Sequence, residues 1–289
     1  MIIDVHTHAF PDKIAAHAVG TVARRADVPL PELDGTLSAL LRSMSSAGIA
    51  RCWVASVVTR PEQARSVLNF ARSIRSERVL PIGSLHPDSP TWEEELNAID
   101  EAGILGIKFH PAHQGFVVDE PKYQSLFRSI ASRGLFVMFH AGYDWGYPEH
   151  DGAAPRRLAK LRHNVPELTM IAAHLGGFLA WDEVIECLVG SEVYFDTSFM
   201  HLASREQREQ ILLHHGVSRI LFGSDSPWTS QKDSVEQVLA LPLDAKQQSQ
   251  VLCENAELLV SRVESTRMQR LVKSTCGRLR KDCAVRLPG

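Results

Sequence analysis

Ile2-Ile3-Asp4-Val5-His6-Thr7-His8 opens the chain as an apolar run ending in two histidines spaced i, i+2. Side chains of a strand alternate faces, so His6 and His8 point the same way, roughly 7 Å apart along it. Two neutral imidazoles projecting from one rigid strand end make half of a metal site, although such pairs also occur on ordinary surfaces. The rest of the chain decides between these readings. It repeats one arrangement: an apolar strand, a titratable residue at or just past its C-terminal end, then a helix.

Residues 9–33 follow as a long connection with Pro11, Pro29 and Pro31 and a helical middle from Ile14 to Arg25. Long loops with structure of their own often serve as lids. Asp34 is expected to cap the next helix, whose inward face carries Leu37, Leu40, Leu41 and Met44 and which ends at Gly48. Further strands are expected at Cys52 to Val58, Val79 to Leu85, Ile104 to Phe109, Leu135 to Phe139, Leu168 to Ala173, Val193 to Asp196 and Ile220 to Gly223. The segments between them carry helical spacing, as in Ala64, Val67, Leu68, Ala71 and Ile74 after Pro61. The helix after the seventh strand starts with a capping box, Ser204-x-x-Gln207. Eight β–α units with nearly continuous apolar strands predict a parallel sheet covered by helices, closed as an α/β (β/α)₈ TIM barrel. An open doubly wound sheet is the alternative, but no G-x-G-x-x-G follows the first strand. The barrel domain is placed at residues 1–262, with the 9–33 insertion, and residues 263–289 as a C-terminal helix or tail, or a homo-oligomer contact.

A chain of 289 residues with 44% hydrophobic residues can bury a large core, and its net charge of −3 suggests neither nucleic-acid nor membrane binding. Five scattered cysteines without a C-x-x-C point to a reducing compartment rather than a disulfide framework. The first strand begins at residue 2 and no long apolar run exists, so a cytoplasmic protein without signal peptide or membrane span is expected.

The C-terminal rim of a barrel carries its active site. There the sequence places His6, His8, His86, Lys108, His110, His140, His174 and Asp225, with Asp225 as the only acid of the set at a strand end. Asp4 either supports His6 or bonds backbone. Rim-loop residues Tyr143, Trp145, His150 and Trp228, with loop arginines, are candidate substrate contacts, as is His110.

Around these positions the sequence resembles the metal-dependent amidohydrolase superfamily, in particular its amidohydrolase-related type 2 group. The marks are Asp4-Val5-His6-Thr7-His8, Gly106-Ile107-Lys108-Phe109-His110-Pro111, His140-Ala141-Gly142, Ala173-His174-Leu175-Gly176-Gly177 and Phe222-Gly223-Ser224-Asp225-Ser226-Pro227-Trp228. The resemblance implies one or two divalent metal ions, usually Zn²⁺, with Mn²⁺ or Fe²⁺ as alternatives. His6, His8, His140, His174 and Asp225 are the implied ligands, and Lys108 would bridge two ions if carboxylated. A protonated Lys108 would instead pair with a substrate carboxylate. Catalytic roles fall to Asp225, His174 and Lys108, and substrate contacts to His110, Trp145 and Trp228.

The expected activity is hydrolysis of an amide, lactone or ester of a small, acidic molecule by water activated on the metal. One alternative is non-oxidative decarboxylation, since the type 2 group also includes aminocarboxymuconate-semialdehyde decarboxylase and related enzymes. A non-catalytic binding protein with a vestigial site is the other, and the intact ligand set speaks against it.

Overall fold

The computed structural model describes residues 1–284. Eight parallel strands form the barrel: β1 (Ile3–Thr7), β2 (Arg51–Ala55), β3 (Val79–Ile82), β4 (Gly106–Phe109), β5 (Phe136–Phe139), β6 (Thr169–Ala172), β7 (Tyr194–Asp196) and β8 (Ile220–Leu221). They pair in chain order as a ladder of three strands and a ladder of five. The β3–β4 seam is joined by Gly83 N to Gly106 O (3.0 Å) and Lys108 N to Gly83 O (2.8 Å). The β8–β1 seam is joined by Val5 N to Phe222 O (2.8 Å), Asp225 N to His6 O (2.7 Å) and His8 N to Ser226 O (2.6 Å). The sequence-predicted strands are one to three residues longer: in β2, β3 and β8 the excess is at the C-terminal end, where the chain leaves the ladder for the rim, and in β4, β5 and β7 it is at the start.

Helices α1 (Ala15–Ala26), α2 (Leu37–Ser46), α3 (Ala64–Ile74), α4 (Trp92–Glu101), α5 (Pro111–Gln114), α6 (Gln124–Ser132), α7 (Pro155–Asn164), α8 (Trp181–Cys187), α9 (Arg205–His215), α10 (Gln231–Leu239), α11 (Ala245–Ser249) and α12 (Asn255–Ala284) complete the described chain. One apolar cluster fills the space between strands and helices, with Leu40, Met44, Phe109, Phe127 and Phe139 among its members. A second gathers Val5, Trp53, Phe136, Met138 and Ile171 with Leu259 and Val263 of α12. The helix α12 runs through residue 262 without a break.

Two local expectations are corrected. The cap of α2 is Thr36, whose side chain accepts from Ala39 N, while Asp34 Oδ1 accepts from the Thr36 N–H and hydroxyl (2.9 and 2.7 Å). Asp34 thus supports the cap rather than forming it. Pro61 opens a 3₁₀ turn, Pro61–Gln63, and the α-helix begins only at Ala64. The capping box of Ser204 and Gln207 is present.

Gly106 matters for the barrel interior, because a Cβ there would lie 2.2 Å from the Phe136 ring, which stacks on Trp53 at 5.2 Å. We expect Gly106→Ala to lower stability by about 1–3 kcal/mol through overpacking. Urea unfolding checks this, and an unchanged midpoint would mean that Phe136 yields freely.

Candidate active site

Six side chains meet at the C-terminal mouth of the barrel: His6 from β1, Lys108 from β4, and His8, His140, His174 and Asp225 from beyond the ends of β1, β5, β6 and β8. His6, Lys108 and His174 are each 1% exposed, and Asp225 6%. His174 and Asp225 both have left-handed backbone, with φ of 60° and 63°. Non-glycine residues held in that region cost on the order of 1–3 kcal/mol each, and such strain persists where surrounding bonds impose it. Here the bonds are Asp225 N to His6 O (2.7 Å) and His174 N to Asp196 Oδ1 (3.1 Å).

The tautomers follow from the hydrogen-bond partners. His8 Nδ1 lies 2.7 Å from the Ala55 carbonyl, which can only accept, so Nδ1 carries the hydrogen and Nε2 a lone pair. His6 Nδ1 donates to Asp196 Oδ2 at 2.9 Å, which again leaves Nε2 bare. His140 Nε2 donates to the Tyr143 carbonyl (2.7 Å), leaving Nδ1 bare. The Ser198 hydroxyl gives its hydrogen to Asp196 Oδ1 and therefore accepts from His174 Nδ1 (2.8 Å), which leaves His174 Nε2 bare.

The bare atoms face one another. His140 Nδ1 and His174 Nε2 are 2.9 Å apart with no hydrogen between them. His8 Nε2 and His6 Nε2 lie 2.9 and 3.3 Å from Asp225 Oδ1, a buried oxygen without a hydrogen-bond donor. Lys108 Nζ, 2.9 Å from His6 Nε2, is the one donor in this group. Four imidazole lone pairs and a carboxylate converging in a buried space repel one another unless a cation lies among them. The set fits a divalent metal, and each histidine is oriented through its other nitrogen, as metal-binding histidines are.

Sequence reasoning missed Asp196 and Ser198. Asp196 ends β7 and is fully buried, so Asp225 is not the only strand-end acid in the site. The pattern that singled out the other strand ends applies equally to Tyr194-Phe195-Asp196. Asp4 turns away from the centre: its carboxylate accepts from His6 N, from Ser224 N and Oγ, and from Gln231 Nε2 (3.2, 3.0, 2.6 and 2.8 Å), tying β1 to the loop after β8 and to α10. A register shift between Asp4 and Thr7 interrupts simple alternation on β1. We expect Asp196→Asn to weaken metal binding or activity about 10–100-fold, since it frees His6 and His174 together. Metal titration of the variant checks this, and wild-type affinity would contradict it.

Burial disfavours charge on the histidines. His140 is lowered to about 4, His8 is lowered, and His174 falls well below the ordinary value, in each case chiefly by desolvation. Burial raises Asp225, but in the metal-free protein protonated His6 and His8 beside it, with Lys108, more than offset this, bringing it to about 2. Burial lowers Lys108 to about 8 against the pull of Asp225 and Asp196. In the unfolded chain these histidines titrate near 6.5, so between about 4 and 6.5 the unfolded state binds more protons. The metal-free protein should therefore hold this stability above pH 6.5 and lose it as pH falls toward 4. Its Tm at pH 5 should lie below that at pH 7, and equal values would mean that these imidazoles are charged when folded.

Above the six residues opens a cavity of about 840 Å³. Residues of the 9–33 connection, including Phe10, Val22 and Leu30, line it. His110, Trp145 and Trp228 line it too, whereas His86, Tyr143 and His150 are not among its lining residues. His86 Nδ1 instead accepts from Asp88 N in a turn. Phe178 and Phe199 meet edge to face at 5.1 Å and both contact the His174 ring, at 5.5 and 5.6 Å. His110 stacks on His140 at 4.0 Å, with Nε2 3.4 Å from Asp144 Oδ2. Burial opposes the charge on Asp144, but the hydrogen bond from His110 and the nearby histidines hold it well below the usual carboxylate range.

An amidohydrolase family, Amidohydro_2, matches residues 3–261, and the chain belongs to it. The protein is thus an enzyme of the amidohydrolase superfamily, whose members are metal-dependent. Among solved structures, it resembles an uncharacterised TIM-barrel protein from Bordetella bronchiseptica, with TM-score 0.71 and 18% identity over 91% of this chain and 99% of that one. A 2,6-dihydroxybenzoate decarboxylase from Rhizobium gives 0.68 and 16%, over 90% and 98% of the two chains. A putative 2-pyrone-4,6-dicarboxylic acid hydrolase from Pseudomonas putida gives 0.64 and 17%, over 90% and 97%. At such identities the likeness establishes the barrel fold alone. No curated protein matches the chain by sequence, and no described helix is long and apolar enough to cross a membrane.

Proposed function

We propose that the enzyme is a metal-dependent hydrolase acting on an amide, lactone or ester of a small acidic molecule. The observation that carries this reading is the convergence of four bare imidazole nitrogens and the orphaned Asp225 oxygen at the floor of a largely apolar cavity. In this reading His6, His8, His140, His174 and Asp225 hold the ion, and imidazole with carboxylate suits Zn²⁺, Mn²⁺ or Fe²⁺. When bound, such an ion supplies Lewis acidity and makes hydroxide available near neutral pH. Asp225, ionised above about pH 2, takes the proton of the attacking water and returns it to the leaving group. The aromatic wall of Phe178 and Phe199 beside His174 orients the substrate and keeps bulk water out.

A second reading, decarboxylation of an aromatic or unsaturated acid, is favoured by that same wall, which suits a planar substrate. Turnover in isotopically labelled water separates the two. Hydrolysis places one labelled oxygen in the product and releases no CO₂, whereas CO₂ release without label in the product would replace the first reading with the second.

Lys108 separates one ion from two. Its low pKa supplies the neutral amine that carbamate formation requires. If a carboxylated Lys108 bridges two ions, Lys108→Ala should lose metal, and short-chain carboxylic acids should partly restore it. If Lys108 pairs with substrate, metal stays and KM rises. Full metal with unchanged kinetics would defeat both roles.

A further inference from the structure

The cavity has a second chemical end. Arg25, in the last turn of α1, is its only lining arginine and, with Lys108, one of its two lining cationic side chains. Lys108 is buried at the floor among the histidines. Arg25 lies at the lid, where its stem crosses Gly146: a Cβ at Gly146 would come within 2.8 Å of Arg25 Cγ. The guanidinium stands 4.8 Å from the centre of the Tyr147 ring. Among the described residues it makes no ion pair and donates no side-chain hydrogen bond. By contrast, nearby Asp144 is engaged by histidines and the Gly146 N–H.

An uncommitted guanidinium, steadied against an aromatic ring at the mouth of an apolar cavity, suits a carboxylate arriving with an apolar ligand. Cavity size adds to the argument. Pockets of roughly 300–1,000 Å³ enclose drug-sized ligands, and 840 Å³ exceeds what one small ring fills. Between the two ends stand the walls made by Trp145, Phe178 and Phe199, with Trp145 meeting Phe178 at 4.9 Å and Phe199 at 5.9 Å.

We infer that the substrate is an elongated aromatic acid whose carboxylate binds Arg25 at the lid, while the bond that reacts lies at the floor near Asp225. This rests on the hydrolase reading for the floor but not for the anchor. The anchor also assigns a role to the 9–33 connection, which supplies Arg25 to the cavity.

Equilibrium binding of a matched pair tests the anchor without turnover. 4-Phenylbutanoate and 4-phenylbutanamide have the same shape and differ in charge, and each is titrated by calorimetry into zinc-loaded wild-type protein and Arg25→Gln. Arg25 is exposed, so the substitution should leave the fold and metal content intact, checked by circular dichroism and metal analysis. Wild type should prefer the acid by about ten-fold or more, as expected for a charge-assisted bond. Arg25→Gln should bind acid and amide equally, with affinity for the amide unchanged. An acid preference that survives in Arg25→Gln would place the carboxylate elsewhere and overturn the inference. So would the absence of any preference in wild type, or no binding of either compound. Failure of the hydrolase reading would show instead in the labelled-water experiment, which does not depend on Arg25.

Discussion

Asp225→Asn will keep much of its divalent metal and lose about 10²–10⁴-fold in turnover, the usual consequence of removing a general base. Asparagine preserves the shape of the side chain and one oxygen to face His6 and His8, but it cannot accept a proton. The carboxylate stands at the right place for both tasks: Oδ1 lies 2.9 Å from His8 Nε2 and 3.3 Å from His6 Nε2, and no hydrogen-bond donor holds it. Its backbone, at φ 63°, is fixed by Asp225 N to His6 O, so the substituted side chain should stay in position. The carboxyl is brought to about 2, so it remains ionised through the range in which the protein can be assayed. Loss of activity on the acid side should therefore follow protonation of the histidines, not of Asp225. Metal content and turnover are read on the same preparation. Wild-type kcat in Asp225→Asn would remove Asp225 from the mechanism.

His6→Ala combined with His8→Ala will abolish most metal binding. Both imidazoles come from one strand, and each is oriented by a separate partner, Asp196 for His6 and the Ala55 carbonyl for His8. Their loss leaves Asp225 facing no imidazole of β1, with only His140 and His174 remaining of the four convergent imidazoles. Structural metal sites release their ion when ligand count falls below what the geometry needs. The double variant should still fold, because alanine is tolerated at a strand end and the β8–β1 seam is made by backbone. Inductively coupled plasma measurement against wild type reads the result, and unchanged metal would move the site away from β1.

The barrel was legible because β–α alternation is periodic: eight apolar runs each ended in a turn and a helix, and the strands fall where those runs lie. The four histidines and one acid that meet at the floor were legible for the same reason, since each sits near the C-terminal end of a strand, from His6 within β1 to Asp225 four residues past β8. Asp196 belongs to the same class and was passed over, although only contact with His6 and His174 gives it meaning. Thr36 against Asp34 was not decidable from composition, because both residues cap well and the turn between them selects which reaches Ala39 N. Arg25 reads locally as a basic residue in the last turn of a helix, a common place for one. Its position over Tyr147 depends on where the β5–α7 loop folds, which is a tertiary fact. The wall of Phe178 and Phe199 is likewise tertiary: the residues follow β6 and β7 respectively, and nothing in their spacing pairs them.

The central claim is that bare nitrogens and Asp225 form a cation site. Anomalous diffraction from crystals of the protein purified without added metal tests this most directly, with data collected on both sides of the zinc, manganese and iron absorption edges. The account predicts an anomalous peak within bonding distance of His6 Nε2, His8 Nε2 and Asp225 Oδ1. A map without a peak there, from protein also soaked in excess zinc, would contradict it.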